Sequence, residues 1–83
     1  MSLEEIKQAK NKVAGMKETM RAIENGQAEI VYLAEDADQK VKDPLQKKCE
    51  EEQVEIEYVS SMQALGSAAG IEVKAATACI LKD

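Results

Sequence analysis

The sequence contains no histidine, phenylalanine or tryptophan, and it has only two tyrosines and one proline in 83 residues. Without histidine, a serine or cysteine nucleophile lacks the base on which the usual hydrolytic triads depend. The carboxylates lie mostly on stretches that we expect to face solvent, which argues against a pair tuned for acid–base catalysis. With so few aromatic residues, the core has to be aliphatic. We therefore expect a binding protein, because an enzyme would need a cofactor pocket that this composition does not suggest.

Long apolar runs are also missing. No stretch approaches the roughly 20 apolar residues that a membrane-spanning helix needs, and the acidic start at residues 1–5 begins an amphipathic pattern that is not typical of a signal peptide. The two cysteines, Cys49 and Cys79, are too far apart for a metal-binding spacing. We expect free thiols in a cytoplasmic protein, with a disulfide as the alternative, and neither a metal, a cofactor nor a membrane contact.

The chain is long enough for one domain with a thin core. A domain of this size buries only about 60% of the surface that its unfolded chain exposes, which leaves little room for an enclosed active site. Hydrophobic residues make up 45% of the sequence, enough for a globular fold. We assign residues 1–83 to a single domain and expect a monomer.

Charge is distributed unevenly over a chain whose net charge is −5. Residues 1–21 carry five cations and three acids (+2), residues 22–60 carry eleven acids and four lysines (−7), and residues 61–83 sum to zero. A locally basic end on an acidic molecule suits a small RNA footprint flanked by repulsive surface. Two alternatives stay open: a chance distribution over exposed helices, and a protein-interaction module whose acidic 22–60 surface meets a basic partner.

The first half of the chain shows helical and strand patterns in turn. Apolar residues three to four apart predict an amphipathic helix from Leu3 to Val13. The pattern breaks before Gly15, where Val13-Ala14 is a candidate for a short strand. A second helix is predicted from about Lys17 to Glu24, stopped by Asn25-Gly26. The apolar run 30–34 is typical of a buried strand.

The second half continues the alternation. Asp43-Pro44 predicts the start of a third helix, with Asp43 as the cap and Pro44 at the first helical position. The remaining predicted elements are a strand over 54–59, a short helix capped by Ser60 or Ser61 whose end is bracketed by Gly66 and Gly70, a loop over 71–73 and a strand over 76–81. Strands and helices in this order predict an α/β fold in which helices cover both faces of a sheet.

The segment from Gly15 to Arg21 carries the most informative chemistry. A glycine turn that leads into a helix leaves backbone N–H groups unpaired at the positive end of the helix dipole, and this combination binds anions such as phosphate. Lys17 and Arg21, four residues apart, lie on one side of that turn. Glu18 does not suit a phosphate, but its carboxylate can accept hydrogen bonds from a guanine edge. Thr19 can add a hydroxyl contact or satisfy a neighbouring backbone group. The alternative is an ordinary capped helix with an exposed salt bridge.

Three segments together give a more specific indication. Residues 15–24 resemble the RNA-reading segment of the kink-turn-binding ribosomal protein family, the large-subunit "seven-Ae" type with its small bacterial relatives. Residues 43–51 are similar to the middle helix of that family, and residues 65–73 to its second RNA loop. The three segments occur in the same order and at compatible spacing, and the resemblance covers nearly the whole chain.

The resemblance implies a three-layer α/β/α sandwich with a small mixed sheet of about four strands. It implies binding to kink-turns, RNA duplexes bent sharply at an internal loop with tandem sheared G·A pairs. By position, Gly15 opens the site, Lys17 and Glu18 meet the guanine edges, and Arg21 holds the RNA backbone. The resemblance also implies that Ile71 and Val73 form an apolar surface against which the flipped-out base packs, with Glu72 in the same loop.

The chain departs from the family pattern at a few positions. Many members carry asparagine where this chain has Lys17, so a phosphate contact is the alternative to a guanine contact there. Ser67 and Lys74 also stand where other residues are common. The acidic total is unusual for a ribosomal protein, which leaves association with the ribosome open. For Ile71 and Val73, ordinary core packing is the alternative to an RNA contact.

Overall fold

The computed structural model describes residues 2–82, with the backbone alone for Ser2. These residues form four helices and four strands, in the order α1 (Ser2–Gln8), β1 (Lys12–Ala14), α2 (Met16–Glu24), β2 (Ala28–Ala34), α3 (Gln39–Glu52), β3 (Glu55–Val59), α4 (Met62–Ala69) and β4 (Thr77–Leu81). No helix in this range is both long enough and apolar enough to cross a membrane.

The strands form one mixed sheet in the order β1-β4-β2-β3. β2 and β3 run parallel, whereas β4 is antiparallel to both of its neighbours, β1 and β2. Parallel strands need a long crossover connection, and α3 supplies it between β2 and β3. Within residues 2–82, β1 and β3 are therefore the two edges of the sheet.

Helices cover both faces of this sheet. Successive side chains of a strand point to opposite faces, so β2 contributes alternate residues to two separate cores. The core under α2 and α3 contains Ile23, Val31, Leu33 and Leu45, and the core under α1 and α4 contains Ile6, Tyr32, Ala34 and Leu65. The predicted α/β fold, a three-layer α/β/α sandwich around a mixed four-stranded sheet, is confirmed.

The first helix is shorter than the apolar spacing predicts. The ammonium group of Lys12 donates hydrogen bonds to the carbonyl oxygens of Ile6 and Lys7, at 2.9 and 3.1 Å, and so satisfies acceptors that the end of α1 leaves free. Val13 lies in β1 instead, opposite Cys79 of β4. The helix prediction was wrong at this end, and the short strand predicted at Val13-Ala14 is confirmed.

The third helix begins earlier than its sequence signal. Asp38 is the N-cap of α3, and its carboxylate accepts a hydrogen bond from the backbone N–H of Lys40 at 3.0 Å. Pro44 consequently lies inside the helix, where it cannot donate to the carbonyl of Lys40. The predicted start at Asp43-Pro44 was wrong, because Asp38 caps the chain one and a half turns before Asp43.

The fourth helix extends past its first glycine. Ser61 caps α4, as predicted, by accepting a hydrogen bond from the N–H of Ala64 at 3.1 Å. Gly66, predicted to lie at the helix end, is inside α4 and buried. Gly70 ends the helix in the left-handed conformation. The loop over 71–73 then leads to β4.

The two cysteines are free thiols buried in the core between the sheet and the helices α2 and α3, Cys49 on α3 and Cys79 on β4. Burial raises the pKa of Cys49 to about 11. The pKa of Cys79 is also raised to about 11, first by burial and then by the proximity of Cys49. Both thiols are thus protonated at neutral pH, and the prediction of free thiols is confirmed.

Candidate nucleic-acid interface

Gly15 joins β1 to α2 in a conformation that requires glycine. Its φ of 100° lies in a region that side chains with a Cβ rarely adopt. The Gly15 N–H donates to the carbonyl of Thr77 at 2.9 Å, so the start of α2 is fixed against the start of β4. This bond brings the two segments that the sequence analysis singled out to the same end of the sheet.

The start of α2 is open to a partner. Gly15 is the N-cap and forms no side-chain cap hydrogen bond with this helix. The first N–H groups of α2 therefore lack an intrahelical acceptor and a side-chain cap, and they lie at the positive end of the helix dipole. Lys17, in the first turn, is exposed. This arrangement is suited to an anion.

Glu18 and Arg21 form an ion pair on the surface of α2. The Arg21 guanidinium lies 3.5 Å from the Glu18 carboxylate, and both side chains are more than half exposed. The salt bridge named as the alternative reading of this segment is therefore present. Because exposed ion pairs contribute only about 0–1 kcal/mol, it does not prevent either side chain from binding a partner.

Thr19 is not part of the exposed surface. Its side chain is 0% exposed, and its hydroxyl has no hydrogen-bond partner among the described residues. The structure exposes Lys17, Glu18 and Arg21 on α2 and brings Glu18 and Arg21 into contact, but it leaves Thr19 in the interior. The predicted hydroxyl contact with a partner is therefore sterically closed, and the alternative bond to a neighbouring backbone group is not formed.

The loop over 71–73 presents apolar side chains to solvent. Val73 is 70% exposed and Ile71 is 36% exposed, and both are therefore too accessible for ordinary core residues. Glu72 between them is exposed as well. Core packing, the alternative that the sequence left open for this loop, does not occur. A small apolar surface with one carboxylate is left beside α4.

Gly66 seats this loop against α4, a role that the sequence analysis missed. A Cβ at Gly66 would collide with the carbonyl oxygen of Val73. The loop is held on both sides of that contact, because Ile71 N–H donates to Gly66 O at 3.1 Å and Ala75 N–H donates to Met62 O at 3.0 Å. A glycine inside a helical pattern was the available signal, since such a residue often marks a close backbone approach.

A shallow cavity of about 400 Å³ adjoins the loop. Two of its lining residues on α4, Gln63 and Ser67, were not predicted as site residues, although their spacing of four places them on one side of the helix. Lys74 completes the lining with an exposed cation next to the three loop residues. The cavity therefore combines apolar, amide, hydroxyl and charged groups.

The cations of residues 1–21 do not form one patch. Lys17 and Arg21 lie on α2, and Arg21 lines a cavity with Glu18 and Leu81. The Lys12 ammonium instead donates to the carbonyl oxygens of Ile6 and Lys7 at the end of α1. Lys10 lines a cavity with Glu29. The charge sum over 1–21 therefore overstates the positive charge of the interface. Across residues 2–82, no group of three or more His, Cys, Asp or Glu side chains is arranged to hold a metal ion.

Comparison with known proteins agrees with this architecture. Residues 2–83 match the model of the Ribosomal protein L7Ae/L30e/S12e/Gadd45 family. An RNA-binding protein of Halalkalibacterium halodurans is 39% identical over 82 residues, which cover 99% of this chain and 100% of that protein. An RNA-binding protein of Geobacillus thermodenitrificans is 42% identical over 82 residues, with the same coverage.

Two solved structures have the same fold. The Giardia lamblia 15.5kD RNA binding protein superposes with a TM-score of 0.85 at 28% identity, covering 98% of this chain and 68% of that chain. A protein with unknown function from Bacillus halodurans C superposes with a TM-score of 0.83 at 28% identity, covering 96% of this chain and 80% of that chain. Together with the match over residues 2–83, these likenesses establish that the chain belongs to the Ribosomal protein L7Ae/L30e/S12e/Gadd45 family.

Proposed function

We propose that this chain is a non-enzymatic RNA-binding protein that recognises kink-turns and stabilises their bent form. The observation that carries the proposal is the hydrogen bond from Gly15 to Thr77, which fixes the uncapped start of α2 beside the strand that follows the exposed loop 71–73. Family membership and the names of the relatives support RNA as the partner. Residues 1–83 act as one cytoplasmic, monomeric domain on ribosomal or other structured RNA.

Glu18 reads the sheared G·A pairs. An ionised carboxylate only accepts hydrogen bonds, and a guanine edge offers the donors N1–H and N2–H₂, whereas phosphate offers none. In the free protein the guanidinium of Arg21 lies 3.5 Å from this carboxylate and forms an ion pair with it. Because the pair is exposed and weak, RNA displaces Arg21 at little cost, and Arg21 then binds a backbone phosphate.

Lys17 and the start of α2 hold a second phosphate. A lysine ammonium has three donors and no acceptor, so at this position it binds an anion more readily than it reads a base. The unpaired N–H groups at the start of α2 add hydrogen-bond donors. They point out of the helix at the positive end of its dipole. Gly15 keeps this approach open, because it has no side chain to cover the helix start.

The loop 71–73 receives the flipped-out base. Ile71 and Val73 expose apolar surface, and a base that packs on them removes apolar area of both partners from water. Glu72 can accept a hydrogen bond from the same nucleotide. Thr19 acts only indirectly, as a buried residue of the helix that carries Lys17 and Glu18.

The function follows from binding one RNA shape better than another. Proteins read RNA at loops and distortions, because the major groove of a regular A-form helix is too narrow for side chains. A protein with higher affinity for the bent form shifts the population toward it.

Calorimetric titration with two hairpins tests the proposal. One hairpin contains a kink-turn, and its control has the sheared G·A pairs replaced by Watson–Crick pairs. We expect tight binding to the first and at least about tenfold weaker binding to the second, since a tenfold change corresponds to about 1.4 kcal/mol, the size of one lost base contact. Equal affinities would contradict kink-turn recognition, and no binding to either hairpin at low salt would contradict RNA binding altogether.

A further inference from the structure

One face of the sheet is only partly covered. α1 has seven residues and packs against α4, so the N-terminal end of β2 and the C-terminal end of β4 are left without a helix above them. A groove of about 470 Å³ lies there, and Ala9, Ile30 and Ile80 form its apolar part. The apolar floor is half-buried, and a partner could cover it further.

The rim of this groove is acidic. It is lined by Glu5, Glu29, Glu55 and Glu57, and none of these carboxylates has an ion-pair partner within residues 2–82. Glu5 instead accepts a hydrogen bond from the Tyr32 hydroxyl at 3.1 Å. Glutamates gathered around apolar side chains without cations are complementary to lysine or arginine, because the aliphatic part of these side chains can cover the apolar floor while the charged end reaches the carboxylates.

The groove continues into the open edge of the sheet. β3 is the outermost strand, and within the described residues no strand pairs with its outer side. Glu55 and Glu57 alternate with Ile56 and Tyr58, so that the two glutamates face the groove and the other two residues face α3. An open edge presents backbone donors and acceptors to which an extended chain can add as a new strand.

This groove lies on the face of the sheet opposite to α2, which carries Lys17, Glu18 and Arg21, and at the other end of the strands from the loop 71–73. Ile80 pairs with Ile30 at the groove, whereas Thr77 pairs with Leu33 at the opposite end of the same strands, next to Gly15. A negatively charged groove repels the phosphates of RNA. The acidic charge therefore disfavours a nucleic acid, and the unpaired edge of β3 favours a polypeptide, which can bind while the RNA interface is occupied.

A second copy of this chain does not fit the edge. If two β3 strands paired with each other, the glutamates Glu55 and Glu57 of both copies would lie on the same face and close together. Like charges opposite each other on neighbouring strands are destabilising. The charge pattern instead selects a basic strand.

We propose that the edge of β3 and the acidic groove beside it dock an extended polypeptide segment in which lysine or arginine alternates with uncharged β-branched residues. The added strand pairs with the backbone of β3, and its basic side chains reach Glu55 and Glu57, their neighbours on the same face. The proposal goes beyond RNA recognition and does not depend on it.

The test uses a capped peptide of about ten residues in which Lys and Thr alternate, titrated at low salt into the isotopically labelled full chain. We expect shifts of the backbone amide resonances confined to β3 and to the groove residues. Two controls separate strand pairing from simple charge attraction. One is the same peptide with every backbone nitrogen methylated, which has no N–H donor on either edge and therefore cannot form the β-ladder. The other is the Glu50→Gln/Glu52→Gln protein, which loses two exposed acids on α3.

The Glu55→Gln/Glu57→Gln protein removes the proposed charge contacts without removing the strand. We expect it to bind the peptide about fivefold more weakly, as the loss of two exposed ion pairs predicts. Glu50→Gln/Glu52→Gln should bind it unchanged, and both double variants should bind a kink-turn hairpin as well as the parent. Three results would each overturn the proposal: no binding of the peptide, equal binding of the methylated peptide, or equal losses in the two double variants.

Discussion

At the scale of single residues, Glu18 and Lys17 should affect RNA binding in different ways. Glu18→Gln keeps the shape but adds a donor where guanine also has donors, so we expect selectivity for the kink-turn hairpin over its Watson–Crick control to fall. Lys17→Ala should weaken binding to both hairpins and reduce the slope of log K against log salt by about one. Titrations at several salt concentrations measure both effects. Unchanged selectivity in Glu18→Gln would show that Glu18 does not read guanine.

Removal of the Thr19 hydroxyl should stabilise the folded protein. Its buried oxygen has no partner, and an unsatisfied buried polar group costs about 1–3 kcal/mol. Thr19→Val preserves the shape, and we expect it to raise the free energy of unfolding by about 1 kcal/mol in denaturant titrations. Thr77 provides the matched control, because its equally buried hydroxyl donates to the Tyr32 carbonyl at 2.7 Å. Thr77→Val should destabilise, and destabilisation of both variants would contradict this account of Thr19.

Residue-scale signals in the sequence were informative where the chemistry is local. The turn at Gly15 depends on its own backbone, and the structure has the expected turn there, whereas anion binding at this turn stays a prediction. The sequence could not show that Thr19 is buried, because helical spacing places residue 19 close to both the exposed and the inward positions. The exposure of Val73 was likewise invisible, since valine in a loop is compatible with either core packing or a contact surface.

At the scale of secondary-structure elements, Asp38 and Asp43 are the two candidate N-caps of α3, and substituting each of them distinguishes between the two. Asp38→Ala removes the hydrogen bond to Lys40 N–H, and we expect it to lower the free energy of unfolding by about 1 kcal/mol. Asp43→Ala removes only an exposed bond from the Gln39 side chain, so its effect should stay within about 0.5 kcal/mol. Thermal or urea unfolding measures the difference. A larger loss for Asp43→Ala would place the functional cap where the Asp-Pro pair suggests it.

Gly66 should control the position of the second loop. An alanine in an unhindered helix interior stabilises by about 1 kcal/mol relative to glycine, but a Cβ here meets the carbonyl of Val73. Gly66→Ala must therefore displace the loop, and we expect lower stability together with weaker binding to the kink-turn hairpin. Ser67→Ala, at the exposed neighbouring position, serves as the stability control and should change little. An increase in stability for Gly66→Ala would show that the loop is not seated on this glycine.

The end of a helix could be predicted where a residue at that end itself determines it. Ser61 and Gly70 act on adjacent backbone groups, and both mark the ends of α4. The start of α3 was misplaced because proline is also tolerated inside a helix when the rest of the turn is anchored, and Asp38 anchors it. Gly66 was misplaced because its reason for being glycine is a contact with residue 73, which helical spacing does not reveal.

At the scale of the whole molecule, the buried thiols predict a loss of stability at alkaline pH. Their pKa is about 11 in the folded protein against an ordinary value of 9.0, so the unfolded chain releases these protons first as pH rises. The stabilisation is complete below pH 9 and is lost between pH 9 and about 11; the full difference corresponds to about 3 kcal/mol per thiol. Burial of Tyr32, its hydrogen bond with Glu5 and nearby acids raise its pKa and act in the same direction.

Urea unfolding at pH 8, 9, 10 and 11 measures this loss. The Cys49→Ala protein is the comparison, because it keeps Tyr32 and every lysine but has one buried thiol fewer. We expect its free energy of unfolding to fall less steeply above pH 9 than that of the parent. Parallel pH profiles would show that Cys49 does not contribute.

The charge distribution of the whole molecule is consistent with the proposal that RNA binds at one end. The net charge of −5 is concentrated in residues 22–60, so the proposed RNA contact relies on the few groups around Gly15 and the loop 71–73. The sequence indicated this asymmetry, but only the fold shows that the Lys12 ammonium is bound by carbonyl groups at the end of α1 and that Lys10 lines a cavity with Glu29. An interface with so few cations has to gain its selectivity from RNA shape.

Fluorescence energy transfer across a kink-turn duplex labelled at its two ends tests that central claim most directly. The titration starts from solution conditions in which the transfer efficiency of the free RNA is that of the extended form. The account predicts that added protein raises the efficiency to the value of the bent form. The duplex with Watson–Crick pairs in place of the sheared G·A pairs should stay extended. If the protein binds the kink-turn duplex and the transfer efficiency does not rise, stabilisation of the bent form is contradicted.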